Sequence, residues 1–243
     1  MLVTDALVLR RSDYRDYDRM VTLLSPAYGR LEACARGCRR PRSPLINAAE
    51  LFSAGEYTFS QQGGRLTITS CQIHEGYYAL RTDLDLLTHA AYYLFLLDAA
   101  AQPGVEAGAL FMLGLHALAH LNYGQLPPQL ITAQFEMHYM AALGQSPRMD
   151  SCVICGRPVD GAARFDASSG GVVCGRCPSK APVISNGARR ILLKSPRTAF
   201  DKVELLAPRP EWPEAAACIR RFVSCRIDQF PPQMPELITG ENQ

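Results

Sequence analysis

Short apolar segments separated by turn residues fill the first third of the chain. They span residues 2–10, 19–25, 30–36, 50–61 and 65–73. Tyr28-Gly29 and Gln62-Gly63-Gly64 are turn sequences, and the second is typical of a β-hairpin. Five short strands joined by tight turns predict a small closed or partly open barrel, and the OB-fold is the commonest barrel with five strands.

Helical spacing replaces this pattern after residue 76. Apolar residues recur three or four positions apart from Leu84 to Leu97, and Pro103-Gly104 interrupts them. Two further helices are predicted at about residues 106–122 and 129–143. These segments are apolar on nearly every side and contain no lysine or arginine, which predicts a buried bundle. The alternative is that surplus apolar groups form a groove for a partner peptide.

Two more helices are predicted near the C-terminus, at residues 186–194 and at about 214–230. Trp212-Pro213 opens the longer helix, and Pro231-Pro232 ends it. Neither helix is long enough to be stable alone, so both are expected to dock on the central bundle.

Four cysteines form two CxxC pairs, which are the most specific motif in the chain. Cys152 and Cys155 make the first pair, and Cys174 and Cys177 make the second. Four thiolates fill every position around tetrahedral Zn²⁺, so this spacing predicts one structural zinc ion per chain in a zinc ribbon. The alternatives are two disulfides or four incidental cysteines. The odd total of nine cysteines and the lack of a secretory segment count against a disulfide framework.

Together these patterns predict an α+β protein with an N-terminal five-stranded OB-fold barrel, a helical-bundle domain and an inserted four-cysteine zinc ribbon. The predicted barrel domain covers residues 1–78, and the zinc-binding insertion covers residues 148–180. The helical domain is predicted in two parts, residues 79–147 and 181–243. A chain of 243 residues is long enough for two or three small domains.

Arginines are concentrated in two loops of the predicted barrel. The loop at residues 36–44 contains two prolines, a glycine and no acidic residue, and its arginines are Arg36, Arg39, Arg40 and Arg42. The first inter-strand loop adds Arg10, Arg11, Arg15 and Arg19. The phosphate backbone of DNA would neutralise this charge, and about four to six phosphate contacts would make log affinity fall with log salt at a slope of about −3 to −5.

A simpler interpretation of these loops stays open, because a basic run is often only a solvated surface loop. Asp13, Asp16 and Asp18 alternate with the arginines of the first loop and are able to pair with them. Three tyrosines nearby in sequence favour nucleic-acid binding, because their rings offer faces on which unpaired bases could stack. They are Tyr14, Tyr17 and Tyr28.

Composition describes an ordinary globular protein, since 48% of the residues are hydrophobic, 20% are charged and the net charge is +2. The chain shows no signal peptide and no apolar stretch of about 18 residues, so a soluble cytoplasmic protein without a membrane segment is expected. It lacks a Walker A loop, a dinucleotide-binding fingerprint, a nucleophile elbow and an HExxH motif, which argues against an enzyme. His116 and His120 stand four residues apart with no acidic residue between them, so packed or partly exposed histidines are expected there.

The order of these motifs resembles the bacterial recombination mediator family RecO. The similarity rests on Asp18-Arg19, Gly29, the basic loop at residues 36–43, Leu110-Phe111, the stretch at residues 135–147 and the CxxCG … GGVVCxxC segment. The resemblance implies a DNA repair and recombination mediator that binds single- and double-stranded DNA and anneals complementary strands. With RecR, it would help load RecA onto strands coated by single-strand-binding protein.

The same resemblance implies two protein partners, RecR and the acidic C-terminal tail of single-strand-binding protein, and a cytoplasmic protein associated with the nucleoid. The alternative function is that of a zinc-ribbon scaffold protein in a transcription or translation assembly. Such a scaffold would bind protein partners without annealing DNA strands.

Overall fold

Five strands form a closed barrel at the N-terminus, as the turn pattern predicts. The computed structural model describes residues 1–200, 202 and 209–227. The barrel order is β1-β2-β3-β5-β4, with β3 and β5 parallel and the other neighbours antiparallel. The strands are β1 (Leu2–Tyr14), β2 (Asp18–Ser25), β3 (Gly29–Ala35), β4 (Ala54–Gln62) and β5 (Arg65–Glu75). The fold class and the five-stranded barrel are therefore confirmed.

The start of the fourth strand was predicted too early. Residues Asn47–Ala49 form a turn of 3₁₀ helix, and the strand begins only at Ala54. Ala48 and Ala49 are buried in the barrel core, and the Tyr57 hydroxyl donates a hydrogen bond to the Ala48 carbonyl at 3.1 Å. The segment predicted as strand before Ala54, residues 50–53, forms a turn in which the Ser53 amide donates to the Glu50 carbonyl and Phe52 has φ of 70°.

The first strand is longer than predicted, because its polar C-terminal half pairs with the start of β2. Tyr14 lies opposite Asp18, and Asp13 lies opposite Arg19. The hydrophobic pattern ends before this segment, so the pairing depends on the hairpin and not on burial. The extension projects the arginines of the first loop beyond the part of β1 that pairs with β4.

The first two helices pack on the barrel and form one compact unit with it, Met1–Tyr123. They are α1 (Leu84–Ala100) and α2 (Gly108–Tyr123), and both contact β1. The loop between them is hydrogen-bonded to the start of β3, since the Arg30 amide donates to the Gln102 carbonyl at 3.2 Å. Gly29 allows this approach, because a Cβ there would lie 2.1 Å from that carbonyl oxygen.

The second compact unit, Gly124–Gln243, contains the remaining helices and a small sheet. In α3 (Pro128–Ala142) the buried carboxylate of Glu136 forms an ion pair at 2.5 Å with Arg220 of the last helix, against which α3 packs. The sheet has the order β7-β6-β8. The other elements are β6 (Ala163–Asp166), β7 (Gly171–Cys174), β8 (Val183–Ile184), α4 (Asn186–Lys194) and α5 (Trp212–Ser224).

The helix predicted at 186–194 has the predicted bounds, whereas the C-terminal helix ends earlier than expected. It stops at Ser224, and residues 228–230 of the prediction lie outside the described residues. The unit boundary after Tyr123 falls inside the segment 79–147, so the division into four sequence segments stays a prediction. Among the described residues, the helices lack the combination of length and apolar character that crossing a bilayer requires.

Candidate functional site

The two arginine-rich loops meet at one end of the barrel. The first is the turn between β1 and β2, and the second follows β3. The backbone amide of Arg39 donates a hydrogen bond to the Tyr17 carbonyl at 3.0 Å, and the Gly37 amide donates to the Asp18 carboxylate at 2.7 Å. We call the resulting set the arginine surface: Arg10, Arg11, Arg15, Arg19, Arg36, Arg39, Arg40 and Arg42.

Buried side chains hold the basic loop in place. Cys38 is only 3% exposed and Leu45 only 8%, and both lie in the barrel core. Between them the chain makes consecutive tight turns, in which the Arg40 amide donates to the Gly37 carbonyl and the Ser43 amide to the Arg40 carbonyl. Because both ends are anchored, the exposed arginines between them are presented by a restrained loop.

Two carboxylates neutralise part of the arginine surface. Asp13 pairs with Arg19 at 3.0 Å and with Arg39 at 3.3 Å, while Glu50 pairs with Arg19 at 2.6 Å and also with Arg11. The hydrogen bond from Arg19 lowers the pKa of Asp13, and the charge of Arg39 lowers it further, so this carboxylate stays ionised at neutral pH. The expected pairing of acidic residues with the first loop is therefore real for Asp13.

Arg10 is engaged by the helices instead. Its guanidinium forms an ion pair at 3.2 Å with Asp98 of α1, a carboxylate that is only 12% exposed. Arg30 approaches the other oxygen of the same carboxylate at 4.0 Å. This arrangement links α1 to the barrel, and Asp98 neutralises part of the charge of Arg10.

The other four arginines form no ion pair within the described part of the chain; we call Arg15, Arg36, Arg40 and Arg42 the unpaired arginines. All four are exposed. Arg15 and Arg42 have φ values of 56° and 67°, a left-handed conformation that is costly for a residue with a side chain. Unneutralised cations on strained exposed turns are what an anionic polymer would bind.

Aromatic rings lie beside two of these cations. The guanidinium of Arg15 lies 5.0 Å from the centroid of the Tyr14 ring, and that of Arg40 lies 5.1 Å from the Tyr17 ring. Tyr28 was predicted with them, but it follows β2 at the end away from Asp18. Its ring is therefore not brought to the arginine surface.

Sequence reasoning missed two partners of this surface, Glu50 and Asp98. Glu50 lies 39 residues from Arg11 and 31 from Arg19. Charge patterning detects partners that are close along the chain, so neither acid gave a recognisable signal.

The four cysteines of the CxxC pairs converge on one point, where they could hold a metal ion. Their sulfur atoms all lie within 4.8 Å of one another, and the sulfurs of Cys155 and Cys174 are 3.8 Å apart. Four thiolates at about 2.3 Å from a tetrahedral metal would be about 3.8 Å apart. The donor set and its geometry therefore fit a closed tetrahedral site.

Tight turns place these sulfurs. Gly156 follows the first pair with φ of 72°, and its amide donates to the Cys152 carbonyl at 2.9 Å. Burial raises the pKa of Cys152, but backbone amides such as that of Cys174 outweigh burial and lower the pKa to about 6. The pKa of Cys177 is raised, chiefly by its hydrogen bond with the Cys155 sulfur. Four thiolates so close together need a cation between them.

The small sheet that carries the cysteines is fixed to the helices of its own unit. Phe165 of β6 packs against Phe222 of α5, with ring centroids 6.3 Å apart. Arg226 donates to the Ala167 carbonyl at 3.0 Å, and Arg189 of α4 donates to the Met149 carbonyl at 3.1 Å. The cysteine cluster is thus anchored to the helices of its own unit.

Among the described residues, the cysteine cluster is the one group of three or more possible ligands that is close enough to hold a metal. His116 and His120 are not members of this group. His116 is exposed, and His120 is half-buried. This agrees with the expectation of packed or partly exposed histidines.

Two family models of the same protein together match most of the chain. The family model of the recombination protein O N-terminal domain matches residues 1–77, and that of the C-terminal domain matches residues 81–234. The chain is 33% identical over 178 residues to the DNA repair protein RecO of Moorella thermoacetica, which covers 71% of this chain and 65% of that protein.

The corresponding protein of Syntrophomonas wolfei is 35% identical over 176 residues, which cover 72% of this chain and 70% of that protein. That of Listeria monocytogenes is 32% identical over 176 residues, which cover 72% of this chain and 68% of that protein. The aligned parts thus span about two thirds of each relative.

Proposed function

The chain belongs to the recombination protein O family of DNA repair proteins, and we propose that it is a mediator without catalytic activity of its own. In this proposal it binds single- and double-stranded DNA and anneals complementary strands at the nucleoid. With RecR, it helps load RecA onto strands coated by single-strand-binding protein.

The observation that carries this proposal is the arginine surface with its four unpaired arginines. Two complementary strands repel each other through their phosphates. Arginines that bind phosphate release condensed counterions and lower that repulsion, while the base edges stay available for pairing. A non-catalytic surface of this kind accelerates annealing without nucleotide hydrolysis.

Ion pairing divides the predicted arginines into two groups in this proposal. Arg36, Arg40, Arg15 and Arg42 come first, because they form no ion pair with a carboxylate of the described residues. The paired arginines come second, and they are Arg39, Arg19, Arg11 and Arg10. Binding phosphate would require these side chains to exchange an internal anion for an external one.

The protein partners are proposed from family membership. They are RecR and the acidic C-terminal tail of single-strand-binding protein. Helices α1 and α2 offer apolar side chains such as the exposed Met112, but they contain no lysine or arginine. A groove for an acidic tail would therefore have to take its cation from a neighbouring segment of the chain.

We propose Zn²⁺ as the metal of the cysteine cluster, with one structural ion per chain. Thiolate sulfur is the ligand type that tetrahedral zinc prefers, and four sulfurs leave no open coordination position for catalysis. The ion would hold Cys152 and Cys155 against the β6–β7 hairpin and thereby stabilise the small sheet.

The decisive experiment measures annealing of two complementary oligonucleotides coated with single-strand-binding protein, without nucleotide. The expected result is acceleration by the wild-type protein, lost at high salt and in the Arg36→Ala/Arg40→Ala variant. If a folded, metal-loaded protein gives no acceleration, the mediator proposal is wrong. The zinc-ribbon scaffold of a transcription or translation assembly would then become the working hypothesis, to be tested by its protein partners.

A further inference from the structure

We propose that Tyr17 and Tyr14 are stacking platforms for unpaired bases, through which the arginine surface prefers single strands to duplex. This inference rests on the DNA binding proposed above. In this inference the protein contacts the bases of the DNA as well as its phosphates. It also gives each of the two rings a partner in the nucleic acid.

The position of Tyr17 supports this role. It lies in the three-residue turn between β1 and β2 and is 49% exposed. Its carbonyl oxygen is held by the Arg39 amide of the basic loop, so its backbone is fixed to the arginine surface. The guanidinium of Arg40 lies against the ring, which leaves the remaining exposed ring surface to an incoming base.

Tyr14 repeats the arrangement at the other side of the same turn. It is the last residue of β1, is 38% exposed and has the guanidinium of Arg15 beside its ring. Each tyrosine thus stands next to one unpaired arginine. A nucleotide bound here would place its base on a ring while its phosphate lies within reach of a cation, which is how single-strand-binding grooves combine the two contacts.

The two rings differ from the tyrosines that serve the fold. The hydroxyl of Tyr57 donates to the Ala48 carbonyl, that of Tyr77 to the Leu115 carbonyl, and that of Tyr123 to the Glu75 carboxylate. Within the described part of the chain, the hydroxyls of the two turn tyrosines form no hydrogen bond. Each ring lies beside a guanidinium group and is partly exposed, so ring surface is open to a base.

Stacking distinguishes single strands from duplex for a geometric reason. In a duplex both faces of each base are covered by neighbouring base pairs, whereas bases of a single strand can turn onto an aromatic ring. Phosphate contacts are common to both forms. Removal of a ring should therefore weaken binding to a single strand and leave binding to a duplex nearly unchanged.

The test compares binding to three probes by fluorescence anisotropy: oligo-dT, an abasic strand of the same length, and a duplex. The oligo-dT has about twelve nucleotides, which is within the length that one OB-fold covers. Tyr17→Ala should weaken oligo-dT binding by about 5- to 160-fold, the range of one base–aromatic stack, and change abasic and duplex binding by less than about two-fold. Tyr17→Phe should bind like the wild type, because the ring is retained. Arg40→Ala should weaken binding to all three probes.

Tyr28→Ala is the matched control, because Tyr28 is 40% exposed but lies at the other end of β2. Unchanged oligo-dT binding by Tyr17→Ala and by the Tyr14→Ala/Tyr17→Ala variant would overturn the stacking proposal. So would an equal loss on the abasic strand, because the ring would then act only by placing Arg40. A wild-type protein that binds none of the probes would refute DNA binding itself.

Discussion

Ion pairing within the arginine surface predicts how DNA binding depends on salt. The arginine surface of the wild-type protein has four unpaired arginines, and each phosphate contact contributes about −0.7 to the slope of log affinity against log salt for a single strand. We therefore expect a slope of about −3, and of about −1.4 for the Arg36→Ala/Arg40→Ala variant. Between about 50 and 200 mM salt, affinity should fall about 50-fold for the wild type and about 7-fold for this variant.

The Arg10→Ala/Arg11→Ala variant is the control, since it also removes two adjacent surface charges, but both belong to ion pairs, with Asp98 and Glu50. Its slope should stay at about −3, because an arginine that is paired with a carboxylate does not neutralise a phosphate and so releases no counterion from the DNA. Anisotropy titrations of a labelled oligonucleotide at five salt concentrations measure the slopes, and thermal melting checks the fold. A wild-type slope near about −5.6, as eight equal contacts would give, would refute the reasoning. Equal slopes for the two variants would refute it as well.

Three further predictions concern charge, metal and packing. Asp13→Asn should release Arg39, strengthen single-strand binding and steepen the salt slope by about 0.7, since Arg19 stays paired with Glu50. Because the pKa of Asp13 is lowered, wild-type affinity should not change through this group between about pH 8 and pH 5, and a strong change there would contradict its assignment. Cys152→Ser should reduce bound zinc well below one per chain and lower the melting temperature. The control Cys225→Ser changes an exposed cysteine outside the cluster and should keep both the zinc content and the melting temperature. Metal analysis and thermal melting measure the two quantities, and full zinc content in Cys152→Ser would refute the site. Gly29→Ala should lower the free energy of unfolding in urea by about 2–5 kcal/mol, because a Cβ would overlap backbone oxygens of the α1–α2 loop. Gly63→Ala, with a similar positive φ but open space, should cost only about 1–2 kcal/mol, and equal losses would show that this contact is not tight.

Local signals were sufficient for much of the fold. The barrel was predicted from five apolar segments and from Gln62-Gly63-Gly64, which forms the β4–β5 hairpin. The helix at 186–194 has its predicted bounds, and the side chain of Ser185 caps its first turn. The cysteine cluster followed from spacing alone, since cysteines three positions apart in a tight turn already face the same point.

Contacts between distant segments were beyond such reasoning. Glu50 was assigned to a strand, but the chain crosses the barrel end there and brings its carboxylate to Arg11 and Arg19. Tyr17 and Arg40 are separated along the chain and become neighbours only because Cys38 and Leu45 anchor the basic loop in the barrel core. The sequence thus identifies each of these chemical groups but not which of them become neighbours.

Which of those groups remain available to a ligand was not readable from it. All eight arginines of the surface have the same formal charge in the sequence, yet four of them are neutralised by carboxylates that the fold brings near. Amino-acid order determined the strands, the helices and the thiolate donor set, because these depend on neighbours a few residues away. The tertiary structure decided which cations and rings face a ligand, because strand register and loop anchoring determine the distances between remote side chains.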